Sequence, residues 1–230
     1  MSYIELLNHD FIKIKHPLTQ KEVKLYRIIS NKSFRINIPI QGESNKTSIP
    51  MLTEPADIDR YAVGGYVQSL KNIDVTNPVW IDNDAKVFDN AIIKNFTYVA
   101  NKALIFQDAV VDNSYVGEYA KIYNATQVTD SWIANMTTVK NNAIVTKSKI
   151  LNYSMVYENA KVTSTLMTGG SYVNGNANVT NSILNDYSMA GGNSMVNNVT
   201  LNERASLVNI NSRDKTISAD PNLSVERGIG

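Results

Sequence analysis

The chain has 230 residues, 22 basic against 21 acidic side chains, 43% hydrophobic content and no cysteine. Such a charge balance argues against nucleic acid as the main partner, because phosphate binding rests on clustered Lys and Arg. Without cysteine there is neither a disulfide framework nor a thiolate metal site. The length suits one elongated domain with a small cap.

The start, MSYIELLNHD, lacks a basic region followed by an apolar run, so no signal peptide is predicted. Nor does any stretch approach 18 uninterrupted apolar residues, so no membrane-spanning helix is predicted. From Phe11 to Ile29 the sequence reads as a hairpin: FIKIK alternates, His16-Pro17 to Gln20 makes the turn, and KEVKLYRII returns. Ser30 to Ser33 breaks the pattern and Phe34 to Ile40 resumes alternation. Loop signals follow at Gly42, Pro50 and Pro55, with ADIDRYA readable as a short helical turn. These elements predict a β-rich cap over residues 1–63.

From Ile81 onward the message lies in spacing. An aliphatic residue recurs at Val87, Ile93, Val99, Ile105 and Val111, then at Val116, Ile122, Val128 and Ile133, and so on to Leu207. From Val111 the steps run five, six and six, giving a 17-residue period. Two residues before most rungs sits a small residue, such as Ala103, Ala109, Ser114 or Ala120. A step near six is too long for a helical stripe and unlike the alternation of a meander. It fits a chain that makes a short strand, turns a corner and repeats three times per coil: a three-sided parallel β-helix over residues 64–210. Asparagine is abundant at corner positions, where it tolerates left-handed backbone and can bond to copies above and below. Beyond Leu207 a further step of six reaches Arg213, which cannot enter a dry prism unpaired. Residues 211–230 are therefore predicted to form an extended arm.

The small-x-aliphatic pattern resembles that of the left-handed β-helix proteins of the hexapeptide-repeat class, and the left hand of the coil is implied by that resemblance. Leu25, Tyr26, Arg27 and Ile28, then Gly64, Gly65, Tyr66 and Val67, then Trp80 and Ile81, look like the junction in a bacterial and prophage-borne family of such proteins. That family joins a small β-rich head to the repeats and often carries a loose transferase label. The resemblance covers roughly residues 20–125.

Acyl transfer on such a scaffold would need a histidine at a groove between subunits to take the acceptor's proton. Only His9 and His16 are present, a strand and a turn residue ahead of the repeats. Zinc chemistry would need clustered histidines. Gly169, Gly170, Gly175, Gly191 and Gly192 read as corner glycines rather than a phosphate loop. Asp82, Asp84, Asp89, Asp108 and Asp112 read as solvated corners. No catalytic, cofactor or metal residue is assigned, and the chain is expected not to be an enzyme.

One column stands out: Tyr119, Met136, Tyr153, Gly170, Tyr187 and Arg204 recur one coil apart. With Tyr115 and Trp132 they are expected to form an outward aromatic strip, a protein interface or a glycan-stacking surface. The resulting expectation is a structural protein, a homotrimeric rod in a phage virion as head fibre, capsid-decorating or tail-associated component. It would be assembled in the host cytoplasm, with itself, capsid or tail proteins and surface glycans as partners. An acyltransferase-like enzyme and a carbohydrate-binding module along the tyrosine edge are the alternatives.

Overall fold

The computed structural model describes residues 2–36, 56–82 and 84–218. Among the described residues every element is a strand except a 3-10 turn at Leu70–Asn72. The alternating N-terminal stretch forms β1 (Ile4–Lys15) and β2 (Glu22–Ser30), paired antiparallel with an irregularity between Leu7 and Phe11. The hairpin therefore starts earlier than the alternation of FIKIK predicts, because the chain tolerates a bulge. β3 (Phe34–Ile36) pairs with β4 (Ala56–Ile58). The helical turn read into ADIDRYA is corrected by β4, since pairing with β3 satisfies its backbone. The expected continuation to Ile40 and the loop signals at Gly42, Pro50 and Pro55 lie outside the described residues.

β5 (Val63–Val67) belongs to cap and coil at once: it runs antiparallel to β2 and parallel to Lys86–Val87. The boundary predicted at 63/64 thus falls inside one continuous sheet. Gly64 is needed there, because a Cβ would stand 2.5 Å from the Ile81 carbonyl oxygen and 2.9 Å from the Trp80 ring.

From β5 the chain winds as a three-faced parallel solenoid of about nine turns. On the second face Val111, Val128, Val145, Val162, Val179 and Val196 stack in register at the 17-residue interval, each at most 1% exposed. The first face stacks Val87, Ile105, Ile122, Val139, Val156, Val173, Ala190 and Leu207. On the third lie Ile81, Val99, Val116, Ile133, Ile150, Met167, Leu184 and Leu201. Because strand neighbours alternate in direction, one residue of each short strand fills the prism and its flanks face outward.

Two of the three corners differ in a way that matches the five- and six-residue steps. Between third and first faces two consecutive residues are left-handed, as at Glu118 and Tyr119 (φ 48° and 63°); between second and third faces one suffices, as at Asp130 (φ 50°). Among the described residues only the corner after Ile93 has two there, Asn95 and Phe96, which is the extra residue that delays the five-residue step to Val111. That tight corner carries a chemical signature. Ser114, Ser131, Ser148, Thr165 and Ser182 each donate to the carbonyl two residues back, at 2.6–2.8 Å. Each hydroxyl also accepts a backbone N–H from the coil above, for example Thr165 N–H to Ser148 Oγ at 3.1 Å. Outside, Asn142, Asn159, Asn176 and Asn193 form an amide ladder at 2.9–3.0 Å, the stacking expected of corner asparagines.

Stacked strands run further than the period predicts. Ser212–Ser218 pairs parallel with Met195–Asn202, placing Ser212 opposite Val196 and Ile217 opposite Leu201. The chain steps five residues from Leu207, so Ser212 turns inward and Arg213 stays exposed. The desolvation of Arg213 that set the boundary at 210 does not arise.

Candidate functional site: an aromatic ridge and its flanking face

The corner between third and first faces forms a ridge. Its second left-handed position holds Tyr119, Met136, Tyr153, Gly170, Tyr187 and Arg204, all with φ between 60° and 72°. The large side chains stand in solvent: Tyr119 is 50% exposed, Met136 48%, Tyr153 65% and Tyr187 59%. A left-handed backbone costs about 1–2 kcal/mol at a residue bearing a Cβ, and glycine or asparagine would relieve it. Gly170 shows what the neighbouring ring does: a Cβ there would lie 2.8 Å from Tyr187 Cε1, so the Tyr187 ring lies down along the ridge over Gly170. Arg204 sits over Tyr187 at 5.9 Å, and Lys102 over Tyr119 at 5.5 Å.

Tyr115 and Trp132 are not on this ridge. They belong to the adjoining third face, where Tyr98, Tyr115 and Trp132 stack at 6.1 and 3.9 Å. The single strip read from sequence is therefore two features one corner apart, and Tyr115 is only 7% exposed. Its ring lies across Gly117, whose added Cβ would meet the phenol oxygen, and its hydroxyl donates to Glu118 at 3.3 Å. Burial first, and then Asp82 beside Tyr98 and Glu118 beside Tyr115, raise both phenols above their ordinary range. Up the same column follow Lys149, Leu166 and Ile183; burial lowers the Lys149 ammonium. Trp132, Leu151 and Ile183 remain half-buried, leaving a mostly apolar outer surface interrupted by Lys149. At the base Trp80, in the same column, is covered by Phe34 of the cap at 6.2 Å.

Of the histidines, His9 is an exposed strand residue, whereas His16 is buried, 5% exposed. Contrary to the sequence reading, His16 does reach the coils. Its Nδ1 accepts from the Leu18 and Thr19 amides, each at 3.1 Å, so Nε2 carries the hydrogen and donates to Asp89 at 2.9 Å. The ring stands edge-on to Phe88 and Phe106, which stack on each other, and Phe106 stacks in turn on Tyr123. With every nitrogen engaged, His16 clamps the hairpin to the first face. Sequence reasoning missed it because the pairing joins residues 73 apart. Asp89 is likewise a partner rather than a solvated corner.

At the foot of the ridge, between it and the hairpin, opens a cleft of about 600 Å³ lined by Arg27, Asp84, Asn101, Lys102, Glu118 and Tyr119. Arg27 is held there by Asp10 at 3.1 Å and the Gly64 carbonyl at 2.8 Å. No group of three or more His, Cys, Asp or Glu is placed to hold a metal ion among the described residues. Comparison of the sequence with protein-family models and with curated proteins gives no match.

Proposed function

We propose that this chain is a non-enzymatic structural protein, a rigid β-helical rod that associates with copies of itself, as a homotrimer, within a larger assembly. The observation that carries this reading is the third face. Its outward column from Tyr98 through Trp132 to Ile183 is stacked and mostly apolar, with Lys149 as its one charged side chain and the register of each coil fixed by the one below. A surface of aromatic and aliphatic side chains with few charges is the composition of an interface core. Following the resemblance of the junction to prophage-borne sequences, the assembly proposed is a phage particle, with the rod as head fibre, capsid-decorating or tail-associated component. Co-sedimentation of the purified chain with the particle, and imaging of where it sits, tests the reading. A chain that stays monomeric and remains in the supernatant while the particle pellets would defeat it.

A further inference from the structure

We infer that the tyrosine ridge is a carbohydrate-binding site for an extended, uncharged β-1,4-linked glycan lying along the solenoid axis. Tyr119, Tyr153 and Tyr187 occupy the same corner position in alternate coils. With strands about 4.8 Å apart, these positions recur about every 9.6 Å along the axis. In an extended β-1,4-linked chain each sugar is turned over relative to the last, so every second sugar presents the same apolar C–H face to one side. The tyrosine spacing is of the order of that disaccharide repeat. Stacking a pyranose face on an aromatic ring removes both from water while leaving the hydroxyls at the sugar's rim free to hydrogen-bond.

The ridge is shaped for it. The Tyr187 ring lies over Gly170, the column's smallest residue. Met136 fills the alternate coil between Tyr119 and Tyr153 with an apolar side chain 48% exposed. The cleft opens beside Tyr119 and supplies donors and acceptors to a terminal sugar from Asn101, Lys102 and Glu118. Its two cations, Arg27 and Lys102, are balanced by Asp84 and Glu118, which suits a neutral polyhydroxyl ligand rather than an anionic one. The tyrosines are half or more exposed on a backbone that asparagine would adopt with less strain, so the fold alone does not account for them.

The test is calorimetric titration of the full chain with cellohexaose and chitohexaose, with cellobiose, chitobiose and α-linked maltohexaose alongside. At least one extended β-linked hexamer should bind, about tenfold or more tighter than its disaccharide, because the hexamer spans more than one ring. Tyr153→Asn and Tyr187→Asn should each weaken it about tenfold. Because asparagine accepts the left-handed backbone, neither variant should lower the thermal midpoint. The inference is overturned if neither β-linked hexamer binds, if maltohexaose binds equally, or if the asparagine variants keep wild-type affinity. A fall in midpoint with unchanged binding assigns the tyrosines to the fold instead, and also overturns it.

Discussion

At the scale of single residues, the inward small positions are not interchangeable. The sequence shows them as one class, yet the tight corner between second and third faces selects a hydroxyl. There a one-residue turn leaves a carbonyl and the next coil's N–H to be paired by the side chain, as at Ser148 with Thr146 and Thr165. Ser148→Ala should therefore destabilise by about 1–3 kcal/mol, the cost of orphaned buried polar groups. Ser188, at the corner between third and first faces, has a buried hydroxyl with no partner. Ser188→Ala should leave stability unchanged or raise it slightly, and denaturant midpoints of the two variants, measured side by side, check the contrast. The unbroken run of hydroxyls from Ser114 to Ser182 at the tight corner, against a mixture of Ala, Ser and Thr at the next, was present in the sequence, but its meaning needs the corner geometry.

Among elements, the solenoid was the most legible part and the cap the least. A period of 17 exposes its own register, because each inward rung repeats the demand for an aliphatic side chain. The cap depends on contacts far apart in sequence, such as β2 with β5 and His16 with Asp89, which no local pattern announces. The end of the solenoid departs from its period for a different reason: a change of step from six to five lets Ser212 replace Arg213 inside. His16→Ala should cost about 2–4 kcal/mol by emptying the space beside Phe88 and Phe106. Hydrogen exchange should then rise in β1, β2 and the first coils while the upper coils stay protected, since a solenoid is stabilised between neighbours. The third face makes a pH expectation. The Tyr98 and Tyr115 phenols titrate higher folded than their ordinary value of about 10. Their contribution is fully present below about pH 10 and is lost as pH rises above it. Thermal midpoints should fall above that pH, and Tyr115→Phe, which keeps the stack without the hydroxyl, should reduce the fall.

For the whole molecule, the strip of five aromatics read from sequence resolves into two surfaces with separate consequences. The ridge is exposed and strained, whereas the third face is stacked and half-buried, and the two meet where Tyr115 bonds to Glu118. Their places in the repeat differ, strand against corner, but the direction each side chain takes is read only from the fold. A rod whose third face mates with other copies should form a discrete species of three chains, from which Trp132→Asp, with its circular dichroism unchanged, should fall back to monomer. Sedimentation velocity of the purified wild-type chain across a range of concentrations tests the self-associating rod most directly: a single trimeric species is expected, and a monomer at every concentration would contradict it.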